Sequence, residues 1–470
     1  MSRQAQGHPK TPPAAPDPGT IDRPRFRLQS WLDRRFEISA RGSSTRTEFL
    51  GGLATFATMA YVLAVNPMIL AESGMDRAEL ITATALSAGV FSILLGLAAN
   101  LPLAQAPGMG ANALFAYTIV LGLGIPWQAA LGLVFWSGVI FLILTLTGVR
   151  QMLLEAVPPN IRIALTVGIG LFIAFIGVKN AGIVLPAPAP MLLKLGDMGS
   201  PSVLLTLIGL AATLALMSRR VPGAIVIVIL TLTFFGLFVP AGDGGEMITA
   251  MPDRVVALPQ PLDDLWLALD PGYLWDHLPV ALPALFTLVF LDLFSSLVAM
   301  NALSQRAGLV DRNGEMIKGA PALTADAIAT IGGSLLGTST TNVYAESAAG
   351  IETGARTGLA PVFVGFFFFL ALFLTPLLLV IPPQATAPAL ILIGLLMFTE
   401  VRNLDFDDPM TAGAAVLTLF LMPLTSITDG LAVGLIVYVG VMLLTGRGLE
   451  VRRITWSLVL VFVCYYLFAA

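Results

Sequence analysis

Glu346 stands in LLGTSTTNVYAESAAGIETGARTG, Leu335 to Gly358, a stretch of Thr, Ser, Asn and Tyr with glycines at 350, 354 and 358, set among long apolar segments. A carboxylate at bilayer depth costs roughly 2.5–3.5 kcal/mol on the insertion scale, so it faces protein or water and marks a pathway. Asp292 carries the same penalty near the middle of ALPALFTLVFLDLFSSLVAMNALSQRAG, with Ser295 and Ser296 one turn on. Two such acids near the midplane can accept N–H groups of a substrate, carry a proton or bind a sodium ion. They can also simply bond each other or neighbouring backbone. Asp326, in PALTADAIATIGG, is a third acid in an apolar span, nearer the cytoplasmic end. It reads either as a functional group or as a carboxylate near a helix start, satisfied by backbone donors.

Tyr344 precedes Glu346 by two residues. In an extended strand residues i and i+2 point the same way, so an aromatic face and a carboxylate would share one wall, which suits a flat heteroaromatic ligand. Offset stacking contributes about 0.5–1.5 kcal/mol beyond area burial, and a charged acceptor for ring N–H groups about 1.5–3 kcal/mol. A second stretch, LAANLPLAQAPGMGANALFAY, echoes the first: Gln105 follows Leu94-Leu95-Gly96 by nine residues, as Glu346 follows Leu335-Leu336-Gly337. Pro102, Pro107, Gly108 and Gly110 cannot all occupy a regular helix interior. Broken helices in corresponding positions of two halves point to a secondary transporter's binding site. The half-helices that follow, from Gly108 and from Ser347, would aim positive dipole ends at carbonyl oxygens of a ligand.

Composition sets the frame for these groups. The 470 residues are 56% hydrophobic and 11% charged, with a mean hydropathy of +0.86; soluble domains carry about 25% charged residues. The chain is therefore a polytopic membrane protein. One cysteine, Cys464, excludes an intramolecular disulfide and a multi-cysteine metal site. The two histidines, His8 and His277, fall in polar stretches, so no metal site is expected in the membrane. Gly108-Met109-Gly110 lacks the Lys-Ser/Thr ending of a phosphate loop. No nucleophile, base and orienter occur together in the spans, so the chain does not read as an enzyme, and neither a cofactor nor a nucleic-acid partner is expected.

Apolar runs of spanning length, about 17–25 residues, together with the two broken stretches at 102–123 and 338–356, make fourteen spans. Whether a further apolar run at 453–470 spans or lies in the interface stays open. Arg23, Arg25, Arg27, Arg34, Arg35, Arg41 and Arg46 precede the first span and predict a cytoplasmic N-terminus. Alternation from there puts Arg150, Arg219-Arg220, Arg306, Arg356, Arg402 and Arg447 inside and the acidic loop 240–278 outside. The halves match in order: GVKNAG at 177–182 with EVRNLD at 400–405, VPGAIVIVIL at 221–230 with ITDGLAVGLI at 427–436, and VLAVN at 62–66 with LVAMN at 297–301. Seven spans per half force the second copy to enter from the opposite face, so the repeats are inverted. The Pro-rich tail before Thr45 reads as disordered, with a short interfacial amphipathic helix near Phe26 to Phe36.

The runs FATMAYVLAVNP, QAPGMGANALFAY, AD at 325–326 and YAESAAGIETGARTGL resemble the AzgA-like hypoxanthine, adenine and guanine permeases of the nucleobase:cation symporter-2, or nucleobase-ascorbate transporter, family, over about Phe49 to Gly446. The resemblance implies an all-α polytopic fold of fourteen spans in two inverted seven-span repeats, with spans 3 and 10 broken by short strands. It implies a tail at 1–46; a core domain of 47–147 (spans 1–4) and 279–381 (spans 8–11); a gate domain of 148–240 (spans 5–7) and 382–446 (spans 12–14); an outer loop at 241–278; and a C-terminal hydrophobic segment at 447–470. It further implies a homodimer in the inner or plasma membrane that imports purine nucleobases by an elevator-like motion, coupled to H⁺ with Na⁺ possible. Asp292 and Glu346 match the family's purine-binding acids, Asn112 the asparagine of APGMG-x-N, and Asp326 the ninth-span aspartate important for transport. Tyr344, Gln105, Ser295 and Ser347 complete the expected substrate site, and Asp292, Asp326 and Glu346 the coupling set. Ser295 departs from the family, which usually has aspartate there in an FDT context. Two rivals stand beside this expectation: a passive channel or facilitator, and an inorganic anion transporter of the sulfate-permease type.

Overall fold

Long uncharged segments leave the backbone as the group that must be satisfied, and in a membrane only intra-segment hydrogen bonds do that for a single span. A computed structural model describes residues 25–148, 157–188, 191–241 and 246–468. The expectations that rest on the proline-rich tail before residue 25, with His8 and Arg23, and on Arg150 and Asp243 lie outside the described residues. Among those described, nine helices are long and apolar enough to cross a membrane, and shorter apolar helices accompany them.

The chain starts with α1 (Arg25–Phe36), where the amphipathic helix was expected. Phe36 and Ile38 bury against Leu359. The first predicted span is two helices, α2 (Thr45–Met59) and α3 (Val62–Ala71), broken at Ala60 and Tyr61. α4 (Arg77–Ala99) is capped by the Asp76 carboxylate and ends on a left-handed Asn100. Then come β1 (Gln105–Pro107) and α5 (Met109–Ala113), which passes into a π-helical stretch, Leu114–Gly122. α6 (Trp127–Thr147), α7 (Pro159–Asn180), a small hairpin, α8 (Pro201–Ser218) and α9 (Ala224–Gly236) complete the first half.

After the outer loop and a single turn, α10 (Tyr273–Asp276), the second half begins with α11 (Leu278–Arg306) and α12 (Gly319–Leu335). β4 (Thr341–Val343) and α13 (Ser347–Thr353) are the second broken segment. It leads to α14 (Leu359–Ala371), α15 (Thr375–Leu379), α16 (Pro383–Phe398), α17 (Pro409–Leu421), α18 (Ile427–Leu444) and α19 (Arg453–Phe468). The hairpin strands are β2 (Val184–Pro186) and β3 (Leu193–Leu195).

Contacts between helices fall in two groups. α2, α4 and α6 pack with α12, α13 and α14, and α3 packs on α4, whereas α7, α8 and α9 pack with α16, α17 and α18. Small residues allow the closest approaches, as between membrane helices generally. Gly96 of α4 faces the backbone of Gly358 at the head of α14, and Gly170 of α7 faces Gly394 of α16; a Cβ on any of the four would run into the opposite main chain. α19, open in the sequence reading between spanning and interfacial, packs on α18 and α11. Tyr466 there donates to Asp429 at 2.7 Å.

The loop before α10 is not a loose tether. Leu265 is fully buried, and its N–H, with that of Asp264, donates to Glu79 Oε2 at 3.1 Å each. This stretch thus sits on the head of α4.

Candidate substrate site at the crossing of two broken segments

β1 and β4 pair antiparallel, Gln105 opposite Val343, Ala106 opposite Asn342 and Pro107 opposite Thr341. Three-residue strands cannot satisfy their own backbone, so neighbours supply partners. Ser92 of α4 accepts from the Gln105 N–H at 2.9 Å and donates to its carbonyl at 3.0 Å. The pairing extends past the strands, with Gly108 N–H donating to Thr340 O at 2.9 Å and Tyr344 N–H to Ala104 O at 3.0 Å. Ser347 Oγ accepts from Ala104 N–H at 3.0 Å. Asn112 Oδ1 accepts from Ser339 Oγ. Both side chains therefore tie the two broken segments together.

Asp292 is fully buried in mid-α11. Its Oδ2 accepts from Thr330 Oγ1 of α12 at 2.9 Å. Asn342 of β4 lies between Asp292 and Ser295, one end of its amide 2.6 Å from Asp292 Oδ1 and the other 2.6 Å from Ser295 Oγ. With Asp292 ionised, the amide nitrogen must face the carboxylate and the amide oxygen the hydroxyl, since a carboxylate only accepts. Ser295 also has Leu291 O within 2.8 Å as an alternative acceptor for its proton.

The structure rules out a helix-start role for Asp326. It is the eighth residue of the 17-residue α12, far from the free N–H groups of the helix start. Its Oδ1 instead accepts from Gln105 Nε2 at 2.6 Å. Both side chains are fully buried, and Gln105 Oε1 and Asp326 Oδ2 accept from no protein donor. Ser296 faces the same carboxylate without reaching hydrogen-bonding geometry. Buried acceptors left unmatched cost about 1–3 kcal/mol each, which marks this pair as acceptor capacity not used by the fold.

The shared wall expected of Tyr344 and Glu346 does not arise from a strand. β4 stops at Val343, and Glu346 has helical angles (φ −60°, ψ −18°) as it enters α13. Tyr344 is buried and donates its hydroxyl to Pro107 O. Glu346, only partly buried, accepts instead from Tyr61 at 2.5 Å. Tyr61 sits at the break between α2 and α3, so the interrupted first span serves to present this hydroxyl. Sequence reading missed Tyr61, Thr330 and Asn342. The signal at Tyr61 was weak, an unremarked aromatic inside FATMAYVLAVNP; Asn342 lay in plain view in the polar stretch but without charge.

A concavity of about 590 Å³ lies elsewhere, between the head of α4, Trp127 and the outer loop at Asp264 and Leu265. None of the three acids lines it.

Residues 46–431 match the Permease family. The chain is 42% identical over 94% of its length to a putative permease of Methanocaldococcus jannaschii, covering 99% of that protein. It is 39% identical to the guanine/hypoxanthine permease PbuG of Bacillus subtilis, over 92% of this chain and 99% of that one. To the adenine permease AdeQ of Escherichia coli it is 37% identical, over 88% and 91% respectively. Among solved structures it resembles the transmembrane domain of the cyanobacterial bicarbonate transporter BicA, with a TM-score of 0.56 at 15% identity, over 83% of this chain and 97% of that one. That likeness speaks to the fold alone. The relatives are named permeases, not enzymes, and the apolar helices make the chain a multi-pass membrane protein. The chain belongs to the Permease family, within the nucleobase:cation symporter-2 group.

Proposed function

We propose that this protein is a symporter that imports hypoxanthine, guanine or adenine, with H⁺ as the coupled ion. The observation that carries the reading is the gathering of three carboxylates at one strand pair, Asp326 against Gln105 of β1, Asp292 against Asn342 of β4 and Glu346 just beyond β4, with unmatched acceptors on Gln105 and Asp326. Purine rings offer N–H donors, and acceptors aimed at them from a dry site are the chemistry that selects them. The named substrates of the relatives agree. Glu346, Asp292 and Ser295 would meet the base, Gln105 and Tyr344 would line its edge, and Asn112 and Ser347 would hold the two strands in register. Asp292, Asp326 and Glu346 would carry the coupling ion.

The two packing groups support a division into a core (spans 1–4 and 8–11) that moves and a gate (spans 5–7 and 12–14) that stays, in an elevator-like cycle, with homodimers formed through the gates. Fourteen spans and a cytoplasmic N-terminus complete the arrangement. An inorganic anion is a poor cargo for a site framed by three carboxylates, since like charges at close range in a low-dielectric site repel strongly.

The test is uptake of radiolabelled hypoxanthine, guanine and adenine into proteoliposomes with imposed gradients. Accumulation above equilibrium driven by an inward H⁺ gradient, and not by Na⁺ at constant pH, is the expected result. Equilibration without accumulation would mean a facilitator. Absence of purine uptake would end the proposal.

A further inference from the structure

We infer that Asn342 is a positioning residue whose side-chain amide turns over when Asp292 gains or loses its proton, so that both states of the acid are fully hydrogen-bonded. This rests on the coupling role proposed above for Asp292 and adds a residue that the sequence did not single out.

Two complete arrangements fit the same heavy atoms. With Asp292 ionised, Asn342 Nδ2 donates to Asp292 Oδ1 at 2.6 Å and to Thr341 O at 3.2 Å, while Asn342 Oδ1 accepts from Ser295 Oγ at 2.6 Å. With a proton on Asp292 Oδ1, that hydroxyl donates across the same 2.6 Å separation to Asn342 Oδ1. Asn342 Nδ2 then donates to Ser295 Oγ at 2.6 Å, and the Ser295 O–H donates to Leu291 O at 2.8 Å. One proton enters, one amide turns by half a rotation, one hydroxyl swings and the Asn342 to Thr341 O bond is given up. Thr330 donates to Asp292 Oδ2 at 2.9 Å in both arrangements.

The surroundings make this specific to Asn342. It is 7% exposed, so water does not stand in for the missing donor. Ser295 is the partner that makes the turn possible, because a hydroxyl can both give and accept where a carboxylate only accepts. Gly108 faces the amide so closely that a Cβ there would come within 3.0 Å of Asn342 Nδ2. Of the elements around Asp292, α5, α6 and β4 carry no ionisable side chain, and α12 contributes Asp326, whose charge acts on Asp292. Glu352 of α13 is instead drawn to Arg306 at 3.6 Å. On α11 itself Phe294 packs under the Arg162 guanidinium, which lies 5.3 Å from the ring centroid.

The experiment follows the protonated-carboxyl infrared band of Asp292, assigned by its loss in Asp292→Asn, during a pH titration of the purified, purine-free protein. Asn342→Leu keeps the volume but removes the N–H that serves the ionised form. A charge-assisted bond is the stronger of the two that the amide makes. The band should therefore persist to a pH about one unit higher than in the parent. Asn342→Ala, which removes the same N–H with a smaller side chain, should move the band the same way and serves if Asn342→Leu does not yield monodisperse protein. An unchanged titration in either variant that folds overturns the inference. Calorimetry of purine binding to the same samples separates this outcome from the transport reading: a shifted band in a parent that binds no purine leaves Asn342 as assigned and removes the substrate assignment.

Discussion

Glu346 and Tyr61 form the pair on which recognition can be tested most directly. Tyr61 donates to one carboxylate oxygen at 2.5 Å, so Glu346 arrives at a ligand already oriented. Glu346→Gln keeps the shape, leaves an acceptor for Tyr61 and sets an N–H where a ring N–H would dock. Loss of a charge-assisted bond of about 1.5–3 kcal/mol should weaken purine binding by roughly 10- to 150-fold. Tyr61→Phe removes the orienting bond and leaves the charge, so its loss should be smaller than that of Glu346→Gln. Calorimetry on monodisperse variants measures both; parental affinity in Glu346→Gln would remove this residue from the site.

At the scale of elements, the strand pair is held by helices brought unusually close. α4 and α14 meet through Gly96 and Gly358, where each α-carbon lies against the other's main chain. The Gly358 N–H also donates to Asn100 Oδ1 at 2.8 Å, at the end of α4. An added methyl at either glycine meets backbone, which cannot rotate away as a side chain can. Gly358→Ala should destabilise the solubilised protein by about 1–3 kcal/mol, the usual cost of overpacking. A lowered Tm with unaltered helical content is the expected reading, and an unchanged Tm would mean that the two helices separate readily. Gly413, with nothing near its added Cβ, is the control in which Ala should be tolerated.

For the whole molecule, the basic residues fix the expected orientation through the positive-inside rule. Arg220 lies within the α8 to α9 connection and Asp253 in the outer loop. In a Cys464→Ser background, a cysteine at 253 should label from outside intact cells and one at 220 should not. The reverse pattern would invert the topology and, with it, the direction assigned to uptake.

Hydropathy, charge placement and helix breakers are local properties, and they sufficed for the membrane class, the helices, the interruptions near Gln105 and Glu346, and the three acids. Lone carboxylates in apolar runs are conspicuous because their cost is paid at the residue itself. Partnership is not local. Gln105 and Asp326 are 221 positions apart and Tyr61 and Glu346 285 apart, and nothing in either neighbourhood names the other. The sequence left Asp326 between a helix-start role and a functional one; only the fold, which sets it in mid-helix beside Gln105, removes the helix-start role. The strand expected to carry Tyr344 and Glu346 together ends three residues before Glu346 because α13 begins there. Asn342 was invisible in sequence for the same reason: an amide acquires its meaning from what stands at each of its two ends, and here those ends are both supplied by α11, brought beside β4 by tertiary packing alone.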